Sequence, residues 1–354
     1  MRKAALILLI ATTMLTLNAA SIRALSRGDA VLTSNDVRFS FSHNPAFLSA
    51  RDYSVNIPIN ARIYNISGLL ENDLVKDISD LSSMDRERMI SSLLDLLREF
   101  NGTMPLLGLD EDISFTVGGF GLDVSLKESV ITSGGSVGTT LSAAVEGAVA
   151  AGFGFKYERD DYLISLGITP KLSYSIYTSP VGIDTAVGIL LDNSLFDNVE
   201  IYQGIGFSAD IGAYVSFPYN FKAALVLRNV GSRIMVSDTG GRTELENRPL
   251  RLDAALGWSG QWGIISLDLE MGLRGLDNIK DDVDLMKSFN AGMRLGITDF
   301  IAINAGINGG YPSCGLELNI FFIDLMVAYY YQDYGVTYGL SPRDVVAFEL
   351  ALSF

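Results

Sequence analysis

The last ten residues of the chain alternate without a break. Val346, Phe348, Leu350, Leu352 and Phe354 fall on one side, and Val345, Ala347, Glu349, Ala351 and Ser353 on the other. Side chains of a strand alternate faces with period two, so one face is wholly apolar and the other small or charged. A membrane-crossing strand needs about 9–11 residues. The pattern recurs at 323–331, 313–321, 300–308, 289–297, 264–274, 250–258, 220–230, 204–217 and 162–177, and more weakly at 143–157, 113–126 and 52–64. In 264–274, for example, Ile265, Leu267, Leu269, Met271 and Leu273 oppose Ser266, Asp268, Glu270 and Arg274.

The connections sort into two kinds. Those at 158–161, 218–219, 260–262, 298–299 and 322–323 are short, whereas those at 127–142, 178–203, 231–249, 275–288, 309–312 and 332–344 are mostly long, and the two kinds alternate. Short turns on one side and long loops on the other are the arrangement of transmembrane β-barrels, which close so that no strand edge is left unpaired in lipid. A secreted β-sandwich would also bury one alternating face. Here nearly every strand keeps an apolar face without the edge-blunting devices an open sheet needs. The opposite faces carry Gly, Ser and charges of both signs, as a wet or plugged lumen would. The expected fold is therefore all-β, a transmembrane antiparallel barrel. Thirteen strands are legible, and bacterial barrels close with even numbers. A strand hidden in 100–115 makes the count about 14; discarding 52–64 would make it 12. Parity places the C-terminus on the short-turn, periplasmic side.

One region departs from the two-residue period. Met89, Ile90, Leu93, Leu94, Leu97 and Phe100 are spaced by three or four, which predicts a helical insertion within 66–100. It is expected to serve as a lid or partner-docking helix, or as a helical hairpin packed on or in the barrel mouth.

Composition agrees with a membrane solvent. The chain of 354 residues carries a net charge of −15 and a mean hydropathy of +0.28. Acidity without a basic stripe argues against nucleic acid as a partner. Arg2 and Lys3, the apolar run Ala4–Leu17 and the small residues Ala19, Ala20, Ser21 and Ala24 predict a secretory signal over 1–24, cleaved after Ala20 or after Ala24. Beyond it no run approaches the ~18 apolar residues of a membrane helix. The chemistry of catalysis is sparse: His43 is the single histidine and has no Gly-x-Ser-x-Gly context, so no catalytic residue, metal or cofactor is expected.

Residues 41–51 read Phe-Ser-His-Asn-Pro-Ala-Phe-Leu-Ser-Ala-Arg. Asn44-Pro45-Ala46, soon after the signal, resembles the N-terminal hatch of the long-chain fatty acid transporter (FadL) superfamily, with its PorV-type, TraF-like and spirochaetal outer-membrane relatives. The run Leu227-Arg228-Asn229-Val230-Gly231, then Arg248-Pro249-Leu250-Arg251-Leu252, resembles PorV-type chains, as do the mid-chain hairpin around Gly152–Lys156 and Leu163–Lys171 and the Tyr-rich end closing on Phe354. The resemblance implies a hatch or plug over 25–51, holding Asn44, Pro45 and Ala46, and a barrel over 52–354 in the bacterial outer membrane. It further implies a lateral exit near Gly118-Gly119, a break in strand 113–126 where adjacent glycines favour a bend. Phe354 resembles the terminal signal read by the outer-membrane assembly machinery. The function implied is passive uptake of hydrophobic or amphipathic small molecules; the alternatives are a PorV-like scaffold for an envelope protein partner, or a general porin. The inward faces are charged, unlike a fatty-acid passage, which should be largely apolar.

Overall fold

A computed structural model describes residues 21–34, 36–67, 102–135, 138–182, 199–237, 243–279, 282–333, 339 and 342–354. The expected helical residues Met89, Ile90, Leu93, Leu94 and Leu97 lie outside these. Fourteen long strands form one closed antiparallel sheet. They are β1 Tyr53–Tyr64, β2 Gly102–Val117, β3 Phe120–Gly135, β4 Gly138–Arg159, β5 Tyr162–Thr178, β6 Ile201–Ser216 and β7 Phe221–Ser237. There follow β8 Arg251–Trp262, β9 Ile265–Leu273, β10 Phe289–Ile297, β11 Ile301–Asn308, β12 Tyr311–Ile320, β13 Ile323–Asp333 and β14 Pro342–Ser353. Each pairs with its sequence neighbour, and β14 closes on β1 from Asn56↔Ser353 to Tyr64↔Val345. Two short strands, Val181–Gly182 and Thr243–Glu246, add to β4 and β7 at the long-loop end.

The alternation decides which way each strand faces. Ile164, Leu166, Ile168, Leu269, Met271, Ile303, Leu316, Val327, Phe348 and Leu350 are exposed on the outside, while Ser165, Thr169, Glu270, Asn304, Glu317 and Glu349 are buried within. Exposed Phe120, Phe153, Tyr162, Phe221, Trp262, Phe300, Phe322 and Phe354 ring the short-turn end. An apolar belt with an aromatic girdle is the surface a barrel presents to lipid.

Three strand boundaries differ from expectation. Segment 113–126 is not one strand: Val117 pairs with Phe120 across Gly118-Gly119, which form a tight hairpin turn with φ of +56° and +86°. A two-residue hairpin needs positive φ, and two glycines supply it without a steric cost. The strand hidden in 100–115 is the upper part of β2. The supposed long connection 127–142 is wall, as β3 and β4 continue to Gly135 and Gly138. Likewise β7 does not end at Val230. Asn229 and Gly231 take φ of +59° and +63°, the register against β6 shifts there, and the strand resumes to Ser237. This is a bulge, which a sequence pattern reads as an end because the face alternation slips.

Strands β2–β7 have 16 to 22 residues and β8–β14 have 8 to 12. Arg251↔Arg228 is the last β8–β7 pair, so β7 rises past its neighbour toward the long-loop end and a taller half-wall stands there.

Residues 21–51 fill the lumen. Helices α1 Ile22–Ser26 and α2 Phe47–Ala50 and the coil between them are almost wholly buried. The hatch thus begins by Ser21, so a boundary after Ala24 would cut through α1.

Candidate functional site

The hatch is seated by two physical means, close packing on glycine and charge pairing. Asn44 makes an Asx turn, its Oδ1 accepting from Ala46 N at 3.0 Å, while its Nδ2 donates to Leu32 O at 2.9 Å. This ties the two halves of the hatch together. The Asn44-Pro45-Ala46 backbone lies directly on Gly167 of β5 and Gly212 of β6. A Cβ at Gly167 would overlap the Pro45 carbonyl, and one at Gly212 would overlap Asn44 Oδ1. Ser165 Oγ donates to Ala46 O at 2.6 Å. Leu48 fills the next space along the wall, against Gly121, Gly152 and Gly154.

Charge does the rest. Arg228, at the β7 bulge, donates to Ser42 O at 3.0 Å and to His43 O at 2.7 Å, while its Nε pairs with Asp253 at 2.8 Å. Glu270 accepts from Leu32 N at 2.7 Å and from Thr33 N at 2.8 Å and Oγ1 at 2.5 Å. Around α1, Arg23 faces Glu317, Asp324 and Glu349 at 3.7, 3.6 and 3.5 Å. Arg38 and Arg294 reach the same Glu317 at 3.3 and 3.2 Å. Arg38 also pairs with Asp36, and that guanidinium holds the half-buried Asp36 carboxyl well below its usual range despite the cost of desolvation. His43 packs edge-on to Phe39, with Nδ1 3.3 Å from Ser40 O. Burial, then the Arg228 and Arg274 guanidiniums, push its pKa down to about 3. The structure gives His43 backbone and ring neighbours within the plug.

Above the hatch, behind the taller half-wall, lies a vestibule of about 760 Å³. Ile131, Ile234 and Val236 give it apolar wall, and Arg62, Tyr64, Lys127, Glu146, Tyr177 and Arg248 give it polar groups. Two of its cations are paired: Arg248, from the β7–β8 connection, crosses to Glu146 on β4, and Arg62 pairs with Asp110. Tyr177 stacks on Tyr202 with ring centroids 5.2 Å apart.

Of the residues singled out in the sequence, Asn44, Pro45 and Ala46 are at the centre of the hatch seat. Gly118 and Gly119 sit at the tip of a short turn, so they do not interrupt a wall strand and the premise for a lateral exit there is removed. Phe354 ends the chain on β1, its N donating to Val55 O at 2.9 Å and its ring stacked on Phe322 at 5.8 Å. Sequence patterns missed Arg228 and the glycine seat. The inward glycines break no alternation, and only the Asn229-Val230-Gly231 bulge marked the place.

A closed fourteen-stranded barrel with a lipid-facing belt and its own N-terminal segment folded into the lumen is a plugged barrel of the outer-membrane type. No family model and no curated protein matches the chain. In fold it is similar to the CymD monoaromatic hydrocarbon channel, with 8% identity, 96% of this chain and 97% of that chain covered, and a TM-score of 0.49. It is similar also to a Pseudomonas aeruginosa FadL homologue (10% identity, 96% and 98% covered, TM-score 0.47). A third is the P. putida toluene transporter TodX (9% identity, 96% and 98% covered, TM-score 0.42). Likeness at this level concerns the outline of the barrel and carries nothing about cargo.

Proposed function

We propose that the chain is an outer-membrane barrel, with its C-terminus in the periplasm, that passively admits an amphipathic small molecule. The vestibule is its first binding site and the hatch the barrier beneath. The vestibule's lining carries this reading. Its apolar wall favours burial of a hydrophobic body, and Lys127 with the Arg248–Glu146 and Arg62–Asp110 pairs offers polar contacts to a head group. A pure hydrocarbon fits less well, because the lumen below is lined by carboxylates and guanidiniums. A plug held on every side argues against an open porin. Passage requires the hatch to move, since the wall strands pair around the whole circumference. Outer-membrane lipid covers the belt, and the terminal strand with Phe354 is what the assembly machinery would meet.

The test is a titration of a fluorescent fatty-acid analogue against the protein in nanodiscs. Saturable binding, weakened about tenfold or more by Ile234→Asp, which places a charge in the apolar wall, supports uptake. Absence of saturable binding, with co-purification of another envelope protein, overturns it in favour of a scaffold. Exposed Met235, where β7 extends past its pairing with β8, and its partner Leu245 favour that second reading, as an apolar face on that extension suits a protein partner.

A further inference from the structure

We infer that processing after Ala20 makes the α-amine of Ser21 a structural cation of the hatch, paired with Glu349 inside the barrel. The inference starts from position. Ser21 is buried, caps α1 by accepting from Ala24 N at 3.4 Å, and begins a helix with every residue buried. Its Oγ lies 3.5 Å from Glu349 Oε2, and the next amide but one, Arg23 N, lies 3.4 Å from the same oxygen. The α-nitrogen of Ser21 is three bonds from that hydroxyl oxygen, so it stands in the same carboxylate's immediate surroundings. Cleavage after Ala24 would instead remove Arg23, the residue that holds three wall carboxylates.

The ion pairs around α1 bear on the same carboxylate. The ion pairs around α1 connect three guanidiniums, of Arg23, Arg38 and Arg294, to four carboxylates, of Asp36, Glu317, Asp324 and Glu349. Of these pairs Glu349 has one, to Arg23 at 3.5 Å; a buried carboxylate is costly unless it is well paired, and an ammonium at Ser21 would be its second cation. Arg23 N already reaches Glu349 Oε2 at 3.4 Å, so the ammonium would share a carboxylate already fixed in place. Processing then does more than release the chain from its signal: it creates the group that completes the seat.

The experiment uses the full mature protein purified from outer membranes. Intact mass should correspond to a chain beginning at Ser21. Acylation of the α-amine by an amine-reactive ester, read on the N-terminal peptide, should be about tenfold or more slower in the folded barrel than in the urea-unfolded chain. Burial blocks access, and an adjacent carboxylate favours the unreactive ammonium. Glu349→Gln, in protein that still migrates as a heat-modifiable barrel, should raise the folded-chain rate about threefold or more, since the amine loses its carboxylate while its burial stays, and an unchanged rate overturns the pairing. If that variant does not fold, the pH dependence of acylation of the folded native chain decides: pairing with Glu349 moves its rise above the ordinary α-amine range of about 7.7–8.0, and a rise within that range overturns the pairing. A mature chain beginning elsewhere, or an α-amine that reacts equally fast folded and unfolded, overturns the inference. None of these measurements involves a cargo, so their failure is distinguishable from failure of the uptake reading.

Discussion

Replacing Arg228 by Met tests whether the hatch is held chiefly by charge-assisted hydrogen bonds from the wall. The guanidinium donates to two hatch carbonyls, Ser42 O at 3.0 Å and His43 O at 2.7 Å. Methionine keeps the unbranched apolar stem and loses both donors. The wall carboxylates are not abandoned, since Asp210 retains Lys171 at 2.5 Å and Asp253 retains Arg251 at 3.0 Å. The loss therefore falls mainly on the hatch. Hydrogen bonds from a charged donor contribute about 1.5–3 kcal/mol each, so the two together are worth roughly 3 kcal/mol at the low end. That loss multiplies the population with an unseated hatch by about a hundred. The assay places a cysteine at Ala46, which is fully buried, in a Cys314→Ser background, and measures maleimide labelling in nanodiscs. Labelling of the Arg228→Met protein should be about a hundredfold faster than that of the Arg228 parent. A rate within about threefold of the parent, in protein whose barrel is intact by heat-modifiable migration, corresponds to less than ~1 kcal/mol. It would refute the view that Arg228 anchors the hatch.

Other consequences follow from the same geometry. Gly167→Val drives a side chain into the Pro45 carbonyl; overpacking of this kind costs about 1–3 kcal/mol or more, and the same Ala46 cysteine should label faster while the barrel still closes. Acid should loosen the hatch. Seated, His43 stays neutral down to about pH 3, whereas released it protonates near the ordinary ~6.5. The seated state therefore has its full stability above about pH 6.5 and loses up to ~1.4 kcal/mol per pH unit as pH falls toward 3. His43→Asn should flatten the fall in labelling experiments from pH 7 to 4; an identical slope in both proteins would exclude this histidine as its origin. Phe354→Ala removes the ring stacked on Phe322 and the terminal aromatic, so the yield of heat-modifiable barrel in outer membranes should drop while refolding in detergent is little changed. Equal loss in both settings would make the residue a matter of stability and not of assembly.

The period-two alternation carried most of the fold. Each barrel strand buries one face in lipid and one against the plug, so strand identity, sheet closure and the side of the short turns are local facts repeated along the chain. The pattern failed where local conformation breaks the period. Gly118-Gly119 turns the chain without changing hydropathy, and the Asn229–Gly231 bulge slips the face of β7 in mid-strand, so the pattern alone makes one hairpin look like a strand and one strand end early.

What the sequence by itself determined was solvent and topology, because those depend on which faces are apolar. Asn44-Pro45-Ala46 was legible as a special turn, since an Asx turn and a proline are encoded within three residues. Only the tertiary structure decided what that turn rests on. Gly167, Gly212 and Arg228 are distant in sequence from the hatch, and an inward glycine or arginine gains its meaning from the backbone that approaches it across the lumen. The same holds for the vestibule, whose lining comes from at least five separated segments, and for Ser21, which became notable once its neighbour was Glu349. Local periodicity can say which residues face inward; which of them touch is settled by closure of the barrel around the hatch.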